Sequence, residues 1–185
     1  MDVIEAIHDR HSVGKMSTES VPRELIEKLL VAAVQAPNHY KVRPWRFVVL
    51  MGHGRERLGN LMADIFHQKF PDVKPEAVEK ERTKPLRSPV IIAVGVDKPV
   101  DPRVLEVENI CAAAAACQNI LLTACAIGLG GHWRTGEAAR DPQVKRFLGL
   151  SEDQYLIAFL YIGYPESLIE SYQRVGFEDR TTWIE

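Results

Sequence analysis

Cysteine is scarce in this chain, and its few copies lack the spacing of a metal site. The 185 residues include three cysteines, Cys111, Cys117 and Cys125. They form no C-x-x-C pair and no spaced Cys/His set, so we expect no zinc site and no other metal site. An odd number of cysteines without a disulfide framework is typical of a reducing compartment. We therefore expect a cytoplasmic protein whose cysteines are small buried side chains.

Net charge is also low, which argues against polyanionic partners. The 23 basic and 25 acidic side chains leave a net charge of -2 at pH 7. Proteins that bind nucleic acid or an anionic membrane surface usually carry a basic excess, so we expect neither partner. Hydrophobic residues at 46% and charged residues at 26% are ordinary values for a globular protein. The length predicts one domain that spans residues 1–185.

Only one apolar run, residues 110–129, is long enough to cross a bilayer, which takes about 20 residues. Gln118 and Asn119 lie at its centre, and much of the remainder is alanine. A helix that is small and apolar all round is more typical of burial between other elements. The run therefore predicts a buried helix at the centre of the fold, or of a dimer, rather than a transmembrane span.

The apolar pattern predicts helices that alternate with a few strands buried on both faces. Continuous apolar runs predict three strands, at residues 46–51, 90–96 and 155–164. Helical spacing predicts five main helices, at residues 3–9, 22–36, 55–70, 104–127 and 141–148. Residues 71–87 are rich in Lys, Glu and Pro, and are predicted to be a solvated connection or a mobile lid with one short helix at 76–82.

A glycine-rich stretch follows the long central helix and reads Gly-Leu-Gly-Gly-His-Trp-Arg-Thr-Gly over residues 128–136. Glycines let a flat ligand approach the backbone closely, and Trp133, Arg134 and Thr135 offer a stacking plane, a cation and a hydroxyl. Alone this is a weak signal, because most such stretches only shape a loop. A Rossmann dinucleotide fingerprint is disfavoured, because the stretch follows a helix where that fingerprint follows a strand.

Two further segments carry groups that an anionic, planar cofactor would use. Arg10, His11 and Ser12, with Lys15 nearby, offer donors to a phosphate. Residues 37–45 form a proline-bracketed loop dense in hydrogen-bonding groups. Each segment also has an ordinary explanation, such as a helix-end charge for Arg10. Their convergence favours a cofactor whose phosphate is bound by Arg10, Ser12 and Arg134 and whose ring lies against Gly130, Gly131, Pro37 and Trp133.

In this order the three segments resemble the nitroreductase family. The likeness is carried by Arg10-His11-Ser12 with Lys15, by Ala36-Pro37-Asn38-His39 with Pro44-Trp45, and by Gly128-Leu-Gly-Gly131. It runs from residue 4 to about 165, and the ending Gly-His-Trp-Arg-Thr-Gly resembles the short branch of the family. The resemblance implies an α+β fold of three layers, with a central mixed β-sheet flanked by helices, in a homodimer that binds two FMN molecules between its subunits.

The resemblance also implies residue roles. Arg10, His11 and Ser12 would hold the phosphate and the ribityl chain, with Arg134 and Thr135 closing on the phosphate from the other side. Gln35 and His39 would face the flavin, the latter from the partner subunit. The remaining cofactor-binding candidates are Pro37, Asn38, Gly130, Gly131 and Trp133. The chain departs from the family pattern at His39, Tyr40 and Val13-Gly14, which leaves the role of Lys15 open.

The implied activity is a two-step exchange with NADH or NADPH as electron donor. The donor would reduce the flavin and leave, and a nitroaromatic, quinone or related small molecule would then be reduced at the same flavin face. Because the flavin carries the chemistry, we expect no indispensable catalytic residue from the protein. Two alternatives stay open: an FMN-binding module with negligible turnover, and a flavin-dependent dehalogenase or flavin-destroying enzyme of the same superfamily.

Overall fold

Four antiparallel strands form the central sheet of the computed structural model, which describes residues 1–167 and 174–185. The strands are β1 (Trp45–Met51), β2 (Val90–Val96), β3 (Gly130–Arg134) and β4 (Tyr155–Gly163). Their order across the sheet is β1-β2-β4-β3. The predictions for β1, β2 and β4 are confirmed, whereas β3 was not predicted.

The three-layer α+β class is confirmed, but strand pairing in the sheet is antiparallel rather than mixed. All three ladders between named strands are antiparallel. Parallel pairing among the described residues is limited to an isolated bridge between Ser12 and Gly131. The connection from β1 to β2 explains the difference, because it contains two successive helices. Two helices return the chain to the end of the sheet where β1 finished, whereas a parallel neighbour needs a single crossover.

The described part of the chain has six α-helices, and four of them cover the two faces of the sheet. One layer packs α2 and α5 on the face that carries Val90, Ile92 and Val94, and the opposite layer packs α3 and α6 on the face that carries Ile91 and Ala93. Alternate side chains of β2 therefore enter two separate cores. The helices are α1 (Val3–Asp9), α2 (Arg23–Ala33), α3 (His53–Lys69), α4 (Pro75–Thr83), α5 (Glu106–Ala126) and α6 (Pro142–Phe147).

The long helix α5 is a core helix along one of its faces. By length and composition it is apolar enough to cross a membrane, yet Ala113, Ala116 and Ile120 on its inner face are fully buried. The Asn119 side chain donates a hydrogen bond of 3.1 Å to the carbonyl of Ala32, which ties α5 to α2. The predicted buried helix is thus confirmed on its inner face.

The cysteines of α5 do not all lie inside the protein. Cys117 is buried, as predicted, but Cys125 is half-buried and Cys111 is exposed. The prediction was wrong for Cys111 because alanine-rich spacing does not show which face of a helix is covered. Cys111 therefore lies on an outward face of α5.

The segment between α3 and β2 is packed, in contrast to the solvated connection or lid that its composition predicted. The short helix predicted at 76–82 is confirmed as α4, followed by a 3-10 turn at Lys84–Arg87. Gly59 of α3 allows the close approach, since a Cβ there would lie 2.1 Å from the carbonyl oxygen of Arg82. The side chain of Arg82 also donates to that of Asn60 on α3. These contacts hold α4 against α3 and fix one wall of the site described below.

Candidate functional site

The glycine-rich stretch contains the edge strand β3, which the sequence analysis did not predict. The α5 helix ends at a left-handed Gly128, where the Leu129 amide donates to the Ala124 carbonyl at 2.8 Å, and β3 then begins at Gly130. A Cβ at Gly130 would lie 2.7 Å from the side chain of Val13, and one at Gly131 would lie 2.5 Å from that of Leu121. The two glycines therefore make room for neighbouring side chains.

The segment after α1 runs along the outer edge of β3 and places the predicted phosphate ligands there. The amide of Val13 donates to the Gly131 carbonyl at 3.0 Å, beside the bridge between Ser12 and Gly131. Farther on, the Ser17 amide donates to the Tyr164 carbonyl at 2.8 Å. Backbone pairing at both positions holds Arg10 and His11 next to the start of β3.

A cleft of about 630 Å³, termed the basic cleft for its two arginines, opens at this position, and Asp9 and Glu166 also line it. Arg10 and His11 lie on one side of it, and Gly130 and Gly131 on another. Arg174, which the sequence analysis missed, also lines it, and its guanidinium donates to the carbonyl of Arg10. Two arginines from opposite ends of the described chain therefore meet in one cleft.

His11 brings an unsatisfied polar atom to the basic cleft. Its Nδ1 lies 2.5 Å from the carbonyl oxygen of Asp9, so Nδ1 carries the proton and donates. Its Nε2 is buried and has no hydrogen-bond partner among the described residues. When the ring is neutral, Nε2 accepts a hydrogen bond from a hydroxyl; when the ring is protonated, Nε2 donates to a phosphate. Buried polar atoms without a partner are uncommon, which makes this position a candidate for ligand binding.

A second cleft of about 710 Å³, termed the aromatic cleft, lies at the other end of β3. Trp133, Arg134 and Thr135 line it, opposite aromatic side chains of α3 and beside Tyr161 of β4. The guanidinium carbon of Arg134 lies 5.8 Å from the centre of the Tyr161 ring. Burial raises the pKa of the Tyr161 phenol, so the ring is uncharged at neutral pH.

Two side chains of β3 beside this cleft are fixed by hydrogen bonds. The indole N–H of Trp133 donates to the Ile157 carbonyl at 3.0 Å. The Nδ1 atom of His132 lies 3.2 Å from the Val13 carbonyl. Burial, and then the charge of Arg134, lower the pKa of His132, so its imidazole is neutral at neutral pH. Arg134 is thus the charged member of β3.

The loop after α2 lines a third groove, against the start of α5. Pro37, Asn38 and His39 face Glu108 and Cys111 across it.

Side-chain contacts hold this loop in place. The Asn38 side chain accepts from the Arg43 amide at 2.9 Å, and His39 Nδ1 lies 3.3 Å from a carboxylate oxygen of Glu108. Tyr40, Lys41 and Arg43 have left-handed backbone conformations, which are costly for residues other than glycine. The contacts of Asn38 and His39 therefore hold a strained loop in one shape.

A sequence model described as "Nitroreductase family" matches residues 7–164 of the chain. The chain belongs to the nitroreductase family. The predicted enzyme class, an oxidoreductase of the nitroreductase type, is confirmed at the level of the family.

Relatives of similar length support this assignment. YdjA of Escherichia coli strain K12, provisionally named an NAD(P)H nitroreductase, is 31% identical over 184 residues and covers 100% of this chain and 98% of its own length. A solved nitroreductase-like protein from Bacillus cereus superposes with a TM-score of 0.83 at 28% identity, covering 100% of this chain and 97% of its own. A solved nitroreductase from Desulfovibrio desulfuricans in complex with FMN superposes with a TM-score of 0.72 at 25% identity, covering 95% and 92%.

In this member of the family most of the predicted site residues lie in three places within one chain. Arg10, His11, Gly130 and Gly131 share the basic cleft, and Ser12 adjoins it through the bridge to Gly131. The structure does not bring Arg134 and Thr135 to that cleft, because β3 places them at its opposite end. The loop residues Pro37, Asn38 and His39 line the separate groove beside α5.

Two further candidates lie outside all three. The side chain of Gln35 is exposed and donates to the Val31 carbonyl of its own helix at 3.5 Å. Lys15 is exposed and lies in the segment after α1, outside the basic cleft. Its carbonyl accepts a hydrogen bond from the Glu166 amide at 3.3 Å. The described residues contain no group of His, Cys, Asp and Glu that could hold a metal ion.

Proposed function

We propose that this nitroreductase-family chain is an FMN-dependent oxidoreductase that uses NADH or NADPH to reduce a nitroaromatic, quinone or related small molecule. The basic cleft carries this proposal. Arg10 and Arg174 place two guanidinium groups along this cleft, and His11 brings a buried ring nitrogen that has no hydrogen-bond partner among the described residues. A flavin phosphate carries roughly two negative charges at neutral pH, and guanidinium groups bind phosphate through paired, charge-assisted hydrogen bonds.

We place the flavin ring farther along β3, toward Trp133 and Thr135. The Gly131 carbonyl accepts from Val13 and so points away from β4. Because backbone groups alternate along a strand, the N–H and C=O of Trp133 point to the same outer edge. These groups can hydrogen-bond to the polar edge of a flavin. The assignment reverses the one made from sequence, with the phosphate at the glycine end of β3 and the ring at the tryptophan end.

The loop of residues 37–39 supports the proposal of a homodimer that shares two flavin sites. Within one chain this loop lies against α5, in a groove apart from both clefts along β3. A second copy of the chain is needed to bring Pro37, Asn38 and His39 of one subunit to the flavin of the other. The loop is already fixed in one conformation by its side-chain contacts. Such a preformed loop loses little conformational entropy when it binds a partner.

Bound FMN would supply the redox chemistry, taking hydride from NAD(P)H and passing reducing equivalents to the acceptor in two successive steps. The chain's own residues bind and orient the cofactor. Arg10, His11 and Arg174 hold the phosphate and ribityl end, and the backbone of Trp133 orients the ring. We assign no general acid, general base or nucleophile to the protein. We further propose that the enzyme works in the cytoplasm, in agreement with its three free cysteines.

Two measurements test the proposal. Purified protein reconstituted with FMN should retain flavin absorbance after desalting, and should then oxidise NADH or NADPH in the presence of a quinone or a nitroaromatic compound. Protein that retains no flavin contradicts the proposal. Protein that holds FMN without oxidising the donor is a binding module. Release of halide from a halogenated aromatic compound, without nitro or quinone reduction, identifies a dehalogenase.

A further inference from the structure

We infer that the aromatic cleft is an acceptor site selective for planar aromatic anions, with Arg134 binding the anionic group. The inference rests on the proposed function, because it names the class of molecule that the reduced flavin would serve. It differs from the role expected from sequence, in which Arg134 closes on the cofactor phosphate. The position of Arg134, in a cleft apart from Arg10 and Arg174, motivates the change.

The walls of the cleft suit a flat apolar ring. The α3 helix contributes Met62, Ile65 and Phe66, and Phe70 follows at its C-terminal cap, with the Phe66 and Phe70 ring centres 5.1 Å apart. Tyr161 of β4 forms part of the opposite surface and is almost fully buried. Aromatic walls favour aromatic ligands through offset or edge-on ring contacts. A volume of about 710 Å³ accommodates a small molecule of one or two rings.

Four cations that line the cleft are Lys69, Lys84, Arg134 and Arg140, and the two lysines are paired with carboxylates. Lys69 is paired with Glu137 at 2.8 Å, and Lys84 is paired with Glu81.

Arg134 stands apart from these pairs. Within residues 1–167 and 174–185, no salt bridge engages it, and the structure shows its contact with the Tyr161 ring. The carboxylate of Asp141, also at the cleft, caps α6 by accepting from the Gln143 and Val144 amides. The carboxylates nearby are thus engaged, so an arriving anion meets the guanidinium of Arg134 without a competing acid.

The guanidinium sets the ligand class. Its planar fork matches a carboxylate with two parallel hydrogen bonds. His132 is neutral because its pKa is lowered by burial, so it adds no charge of its own. An aromatic carboxylate, with its ring between α3 and Tyr161 and its anionic group at Arg134, therefore satisfies both surfaces of the cleft. An uncharged ring of the same shape leaves the cation without a partner.

Isothermal titration of the FMN-loaded protein, without NADH or NADPH, compares 4-nitrobenzoate with 4-nitrotoluene, its uncharged analogue. Loaded protein is used because FMN then fills the other anion site, at Arg10. We expect 4-nitrobenzoate to bind at least about tenfold more tightly, the worth of one charge-assisted contact. Arg134→Met should abolish this preference and Arg134→Lys should keep part of it. The matched control is Arg57→Met, since Arg57 also lies over a ring, that of Phe147 at 5.3 Å, but away from the cleft.

Equal binding of the two compounds by the unaltered protein overturns the inference, as does a preference that survives Arg134→Met. If Arg134→Met keeps the preference for 4-nitrobenzoate but no longer binds FMN, the inference is also overturned, and Arg134 is then assigned to cofactor binding. Failure of the proposed function is recognised separately, because the reconstituted protein then shows no flavin absorbance. In that case the same titration is run on cofactor-free Arg10→Met protein, so that only the aromatic cleft can select the anion.

Discussion

Two arginines separated by 164 residues share the basic cleft. Replacing Arg10 or Arg174 by methionine removes one or two charge-assisted bonds to the cofactor phosphate. We expect each change to raise the dissociation constant of FMN by about tenfold or more. Flavin fluorescence titration measures the constant, with Arg57→Met as the control that keeps native affinity. Native affinity in both cleft variants would exclude this cleft as the phosphate site.

His132 gives the folded protein a pH dependence of known sign. Burial, followed by the charge of Arg134, lowers the pKa of His132 in the folded state. As pH falls below about 6.5, the ordinary pKa of histidine, the unfolded chain binds a proton that the folded chain resists. This contribution to stability is therefore present above that pH and is lost on acidification toward the folded pKa.

Between about pH 7.5 and 5, the range of histidine titration, acidification lowers the melting temperature. This fall should be smaller for the variant His132→Gln than for the unaltered protein. Differential scanning calorimetry at several pH values measures the difference. The exposed His67 provides a control, since His67→Gln should leave the pH profile unchanged. Parallel profiles for all three proteins would show that His132 carries no such linkage.

The packing of α4 against α3 forms one wall of the aromatic cleft, and a substitution that separates the two helices would remove that wall. A methyl group at Gly59 would lie 2.1 Å from the Arg82 carbonyl oxygen. We expect Gly59→Ala to reduce the free energy of unfolding by about 1–3 kcal/mol, the usual cost of overpacking. Urea denaturation measures the loss. Gly54→Ala is the matched control in the same helix, because its methyl would lie 3.6 Å from the Leu50 side chain, an ordinary contact.

Helices and strands followed from the sequence wherever burial produced a periodic or continuous apolar pattern. Residues 90–96 were predicted to the residue, since all seven residues of β2 are buried. β3 was missed because two glycines open it and their backbone is held by β4 and residues 12–13, which no local pattern reveals. The packing of α4 was missed for a similar reason. Its side chains are not buried, and the close contact is made by its backbone against Gly59.

The candidate site was partly predictable from residue type. Arg10 and His11 were identified from their chemistry and their place after a helix. Arg174 was not, since it stands in a polar tail without periodicity and reaches the cleft only through the tertiary fold. The opposite placement of Arg134 also lay beyond sequence reasoning. It depends on β3 being a strand, which separates the two ends of the stretch 128–136.

At the scale of the whole molecule, apolar side chains remain exposed on the outer face of α5. Leu105 is 62% exposed and Val107 is 58% exposed, next to the groove that holds the loop of residues 37–39. Contiguous exposed apolar surface is typical of protein interfaces. We expect Val107→Glu to convert a dimer into a monomer, and to weaken FMN binding because the partner's loop is lost.

Light scattering after size exclusion measures the mass, and flavin titration of the same samples measures the affinity. Val100→Glu is the control, because Val100 is 98% exposed in the connection before α5 and should tolerate a charge without dissociation. An unaltered protein that is monomeric and yet binds FMN at full affinity would refute the shared site.

The meeting of Arg10 with Arg174 also decides when a newly made chain can acquire its cofactor. A ribosome releases the first arginine long before the second, and a domain generally folds as a unit. A nascent chain that lacks Arg174 has only one of the two guanidinium groups of the basic cleft. Flavin loading at full affinity therefore follows translation of the tail, and chains that stop before residue 174 should bind FMN at least about tenfold more weakly.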